Sequence, residues 1–163
     1  MEKVLVSACL LGAKVRYHGG SATISDPVLD RWSGEGRIVP VCPEVEGGLP
    51  TPRRPAEIRR DADAAGRIRL RVVTADGQDV SEPYRTGAGK ALAQARSLGI
   101  RVAILKDGSP SCGSSFVHDG AFTGTRTAGD GVTAAALRAA GVRVFSETQI
   151  AEAAAWLDDL ERP

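Results

Sequence analysis

The sequence carries almost no net charge: 21 Lys+Arg stand against 20 Asp+Glu, a formal +1 over 163 residues. So even a balance gives no general attraction for a polyanion, so a long nucleic acid is not an expected partner, although a local basic patch stays possible. No apolar run is long enough to span a bilayer, and Met1-Glu2-Lys3-Val4 does not open a basic segment followed by an apolar one. A membrane partner and a secretory leader are therefore not expected, and the cytoplasm is the expected compartment. There is no internal repeat, low-complexity tract or linker. The length suits one ordinary domain with a core of its own, so residues 1–163 are read as one domain.

Cysteine is scarce, and its scarcity is informative. Only Cys9, Cys42 and Cys112 are present. An odd count at wide spacing argues against a disulfide framework. The paired C-x2-C knuckles of most structural zinc sites are missing, yet zinc on three cysteines with His18 or His118 as fourth ligand remains the main rival metal reading. Three buried thiols acting as small hydrophobes is the plainest alternative. A Cys/His nucleophile pair is a further one, although a lone histidine in a polar loop such as His18 is usually only solvated.

Apolar patterning places the cysteines. Lys3–Ala8, Arg37–Val41, Arg101–Leu105 and Val142–Phe145 are short β-branched runs read as buried strands. Asp26-Pro27 opens a short helix. Val80, Tyr84, Ala88, Ala91, Leu92, Ala95 and Leu98 recur at helical spacing, with Asp79 or Ser81 as cap and Gly99 as stop. Asp130 is expected to cap a further helix ended by Gly141. Ser146 and Gln149 fit a capping box for a last helix reaching about Leu160. Pro43–Pro55 holds four prolines and two glycines and is read as a fixed loop. Arg67–Thr74 followed by Ala75-Asp76-Gly77-Gln78 suggests a partly exposed hairpin insertion. This alternation predicts an α/β fold: a Rossmann-like, mainly parallel sheet with helices on both faces and a small hairpin and loop insertion.

Each cysteine then falls beyond the C-terminal end of a predicted strand, where open α/β sheets form ligand sites. Three thiolates there can hold three irons of a [4Fe-4S] cluster and leave the fourth open to substrate. Pro43 after Cys42, and Pro110-Ser111-Cys112-Gly113, are loop contexts that bring backbone N–H groups near cluster sulfurs. Arg16, Arg53, Arg54 and Lys106 fall on the same predicted rim, where solvation is the commonest fate of a single cation. Gly87-Ala88-Gly89-Lys90 matches neither phosphate-loop spacing and lies inside a predicted helix, so close packing is the better reason for its glycines.

Three longer motifs carry a resemblance. Ser7-Ala8-Cys9-Leu10-Leu11-Gly12 with Val15-Arg16-Tyr17 is the first. Val41-Cys42-Pro43-Glu44-Val45 with Gly48-Leu49 and Pro52-Arg53 is the second. Leu105-Lys106 and Ser109-Pro110-Ser111-Cys112-Gly113, followed by Asp119-Gly120 and Gly129-Asp130-Gly131-Val132, form the third. In this order, over nearly the whole chain, they resemble the thiouracil desulfidase family. The resemblance implies a [4Fe-4S] cluster on Cys9, Cys42 and Cys112, and non-redox release of sulfide from thiouracil-like thiolated pyrimidines to give uracil. It implies a catalytic carboxylate, which maps onto Glu44, and a catalytic serine, which maps onto Ser109 with Ser111 as second choice. His18 departs from the acidic residue expected after the tyrosine. Longer relatives carry an additional C-terminal domain and act on thiolated transfer RNA, so the end of this chain at Pro163 favours a free base as substrate. The alternative in another class is a non-catalytic module holding zinc or a sensing cluster.

Overall fold

The computed structural model describes residues 1–163. Its centre is a four-stranded parallel sheet built from β1 (Val4–Ser7), β2 (Ile38–Val41), β5 (Val102–Leu105) and β8 (Arg143–Ser146), in the order β2-β1-β5-β8. Val4 lies opposite Ile38 on one side and Val102 on the other. Successive side chains leave opposite faces of a strand. Accordingly Leu5, Ala103 and Leu105 enter one core cluster, and Val4, Val6, Val102 and Ile104 the other. Helices α3 (Ser81–Ser97) and α4 (Val132–Ala139) supply Ala91, Ala95, Ala134 and Leu137 to the first. Helices α1 (Pro27–Gly34) and α5 (Ile150–Glu161) supply Leu29, Trp32, Ala153 and Leu157 to the second. Burial on both faces is why the strands read as continuous apolar runs.

Five details depart from the sequence expectation. Pro43–Pro55 is not wholly irregular: Pro43–Glu46 forms one helical turn, α2, because proline after the extended N-cap Cys42 has the φ that a first helical position needs. The hairpin pairs β4 (Ile68–Thr74) with the preceding β3 (Ala56–Ala62), around a turn where Asp63 Oδ1 accepts the Ala65 and Arg67 N–H groups. The charges of Glu57, Arg59, Arg60 and Asp61 hide β3 from an apolar-pattern reading. A second small pair, β6 (Phe116–His118) and β7 (Arg126–Ala128), is too short to show any period. Finally, α4 is capped by Gly131 without a side-chain bond, while Asp130 pairs with Arg138 at 3.4 Å. The capping box before α5 is half made: Gln149 Oε1 accepts the Ser146 N–H at 3.0 Å, and the Ser146 hydroxyl pairs with Thr148 instead.

The glycines of the 87–90 segment prove to be partly a packing device. Helices α2 and α3 cross so closely that a methyl group on Gly87 would overlap the Pro43 carbonyl oxygen, and one on Gly47 would overlap that of Pro83. At Gly89 the space is open. Gly87→Ala is expected to destabilise the fold by about 2–3 kcal/mol, because neither backbone can yield without shifting the Cys42-bearing turn. Gly89→Ala, without a clash and inside a helix, is expected to stabilise by about 0.5–1 kcal/mol. Urea unfolding of the two variants checks the contrast; equal midpoints would remove the close-packing explanation.

Candidate active site

Beyond the C-terminal ends of the central strands lies a cavity of about 410 Å³, and Cys9, Cys42 and Cys112 all line it. Cys9 sits in a 3-10 turn, Ala8–Leu11, directly after β1. Cys42 follows β2 as the N-cap of α2. Cys112 lies in the 106–115 loop after β5, and is buried like Cys9. No cysteine is in a disulfide.

Burial dominates their chemistry. It pushes the Cys9 thiol up to about 11, with the neighbouring Cys42 adding to the rise and Arg16 and Lys106 opposing it. It pushes Cys112 up to about 12, against the favourable Ser7 hydroxyl. It also raises Cys42, although the Val45 and Glu44 amides at the start of α2 favour the thiolate there without a hydrogen bond of full geometry. Metal-free, these are protonated thiols at neutral pH, and a metal group must displace their protons.

The donor set can be tested against candidate groups. It is all sulfur, which selects soft metals and iron–sulfur clusters. No three His, Cys, Asp or Glu side chains stand close enough to share a single metal ion. Three thiols on one cavity suit a group of several metal atoms in which three take one thiolate each. The histidines of the zinc alternative do not complete a ligand set. His18 Nδ1 accepts the Gly20 N–H at 3.0 Å and the residue does not line the cavity. His118 lines it, with a buried Nδ1 that has no partner.

Glu44 lines the same cavity. Backbone N–H groups would be the ordinary partners of a loop carboxylate, but here two side chains hold it. Arg53 Nη2 donates to Oε2 at 2.6 Å, and the Tyr84 hydroxyl donates to Oε1. Arg53 is not a solvated rim cation: its side chain is 5% exposed and also donates to the Val15 carbonyl. Lys106 lines the cavity and pairs with Glu147 at 2.8 Å. Arg16 lines the cavity, whereas Arg54 lies outside it, paired with Asp76.

The two serines part company. Ser109 lines the cavity, and its Oγ accepts the Ser111 and Cys112 N–H groups, each at 3.1 Å, so it also shapes the turn that presents Cys112. Ser111 is fully buried and bonded to Thr133 at 2.8 Å. It does not line the cavity, and its hydroxyl faces the packed side of the loop.

Several supporting residues escaped the sequence reading. Glu147 Oε2 accepts the Asp107 N–H, and the Ser7 hydroxyl accepts that of Lys106. Asp107 Oδ1 accepts the N–H groups of Gly108, Ser114 and Ser115, each at 3.1 Å, and of Phe116 at 3.3 Å. Burial alone would raise the Asp107 pKa; the bonds from Ser115, Ser114 and Phe116 outweigh it and hold the carboxyl below its ordinary value. A depressed carboxyl contributes stability that is present above the unfolded pKa, about 3.9, and lost as pH falls through the lower folded value. Asp107→Asn is therefore expected to cost about 2 kcal/mol at pH 7, and the gap from the parent protein should close in acid below about pH 4. Urea midpoints measured across pH test this; a gap that does not change with pH would show that the carboxylate charge contributes nothing.

Fold and site together define a class: an α/β protein with a three-thiol cavity beyond the strand ends of a parallel sheet, and a clamped carboxylate beside it. The sequence matches the family described as 2-thiouracil desulfurase over residues 4–149, and the chain belongs to that family. It is 44% identical over 151 residues to YbbK of Bacillus subtilis (strain 168), an uncharacterized protein, covering 90% of this chain and 97% of that one. Its structure matches that of the [4Fe-4S]-dependent thiouracil desulfidase TudS with a TM-score of 0.89 and 49% identity, covering 97% of this chain and 99% of the other. No helix is long and apolar enough to cross a membrane.

Proposed function

We propose that this chain removes sulfur from thiouracil-like pyrimidines by adding water, giving uracil and sulfide, with a [4Fe-4S] cluster held by Cys9, Cys42 and Cys112. The observation that carries this reading is the meeting of those three thiols with Glu44 and Ser109 in one cavity. The bound cluster would supply a soft Lewis acid that accepts the thiocarbonyl sulfur, with no net electron transfer.

The chain's own residues account for the rest. Glu44 takes a proton from the attacking water and passes it to the departing sulfur, then takes the remaining hydroxyl proton of the water adduct as C=O forms and releases it to the pyrimidine nitrogen or to solvent, so C–O formation and C–S cleavage balance without an oxidant. Ser109, whose oxygen already accepts two N–H groups, has its own proton free to orient the water or the pyrimidine edge. A cavity of this size falls within the ordinary range for small-molecule sites, about 300–1,000 Å³, which supports a small-molecule substrate.

The test is anaerobic purification followed by iron, acid-labile sulfide and zinc analysis, with sulfide release assayed on 2-thiouracil and 4-thiouracil. A brown protein with about four irons per chain and turnover on either base is the expected result. A colourless zinc protein without turnover would overturn the reading in favour of a non-catalytic module.

A further inference from the structure

The cavity wall contains a polar group that the reaction scheme does not itself require. Tyr84 is on the first turns of α3, and its ring is buried with Ile58, Val72 and Val117 in a core cluster of its own, between the helix and the β3–β4 hairpin. The hydroxyl reaches out of that cluster to the cavity, where its partner is Glu44 Oε1. A buried phenol needs such a partner, but this one is a carboxylate whose other oxygen is already taken by the buried Arg53 guanidinium at 2.6 Å.

We propose that Tyr84 is a positioning residue: with Arg53 it clamps both oxygens of Glu44, so that the carboxylate meets the reacting water and pyrimidine in one orientation.

Three features support this beyond the bond itself. The two clamping groups come from different parts of the fold, Tyr84 from α3 and Arg53 from the loop after α2, so Glu44 is fixed from two directions. The platform is rigid, because α2 and α3 cross backbone to backbone at Gly47 and Gly87 and the distance from Tyr84 to Glu44 cannot drift with side-chain repacking. Tyr84 also remains a donor: burial first, and then the adjacent Glu44 charge, push its pKa well above that of an ordinary phenol. A carboxylate that must exchange protons with a water gains from such restraint, since an error of about 1 Å in placement can cost about 100-fold in rate.

This inference rests on Glu44 serving as the proton-transfer group, and the experiment separates the two. Tyr84→Phe removes one oxygen and leaves the buried ring in place, so fold and iron content should match the parent protein. Its kcat for thiouracil is expected to fall by about 10- to 100-fold with KM within about threefold. The double variant Glu44→Gln/Tyr84→Phe should be no slower than Glu44→Gln alone, because a group acting only through Glu44 has nothing further to lose. In crystals of the metal-free Tyr84→Phe protein, the Glu44 carboxylate should occupy more than one rotamer. An unchanged kcat, losses that simply add in the double variant, or a Glu44 carboxylate that stays in its original place would overturn the clamp. A fully active Glu44→Gln enzyme would overturn the acid–base reading itself and the clamp's catalytic purpose with it.

Discussion

Replacing any one of Cys9, Cys42 or Cys112 with alanine is expected to leave a folded chain that has lost most of its iron and nearly all of its sulfide release. The fold should survive because Cys112 and Cys9 are each a single member of the two main core clusters, of 13 and 12 buried residues, whose other members come mostly from strands and helices. A small side chain replaces a small one, so the structural cost should be about 1 kcal/mol. The cluster fares worse. Partners that merely support a metal ligand typically contribute about 10–100-fold to affinity or activity, and a direct ligand contributes more. Iron content, the visible spectrum and far-UV circular dichroism separate these effects. A triple-alanine variant that still released sulfide from thiouracil would sink the mechanism. Unfolding of each single variant would instead show that the thiols are structural.

Glu44→Gln is expected to keep a normal cluster spectrum while sulfide release falls by about 100-fold or more, the usual range for loss of a general acid–base group. The substitution suits the site. The amide oxygen can still accept from Arg53, and the amide nitrogen faces Tyr84, whose hydroxyl can accept as well as donate. What is removed is basicity, with shape and most hydrogen bonding retained. Anaerobic sulfide-release kinetics alongside iron analysis decide the matter. Full turnover would eliminate Glu44 as the proton carrier. Loss of the cluster would reassign it to ligand support. Ser109 offers a less clean test, because its oxygen also bonds the Ser111 and Cys112 N–H groups and its removal would disturb the turn that presents Cys112.

Legibility in the sequence followed the length and regularity of each signal. The four central strands were visible because both of their faces are buried, which leaves a continuous β-branched run; β3 and β6, with charges or only three residues, were not. Cys9, Cys42, Glu44 and Ser109 stood in motifs whose order could be read. Tyr84 is one member of a helical apolar stripe, and nothing in that period distinguishes a core tyrosine from one whose hydroxyl reaches a carboxylate 40 residues away. The charge of Arg53 suggests a solvated rim cation, yet its buried guanidinium joins Glu44 to the Val15 carbonyl. The resemblance leaves Ser111 as second choice to Ser109, and a two-residue step around a tight turn sends its hydroxyl to Thr133.

By itself the sequence determined the parallel sheet with helices on both faces and the placing of all three cysteines past strand ends. These follow from local periodicity and from the fact that parallel strands deliver their C-terminal ends to one edge. Only the tertiary structure decided which polar groups meet there. Gly87 brings α3 against α2, which sets Tyr84 opposite Glu44. Glu147, from beyond β8, fixes the Lys106–Asp107 corner, and Asp107 gathers the amides of the Cys112 loop. Such contacts depend on distances between residues remote in the chain, which packing alone sets and no single-segment pattern encodes.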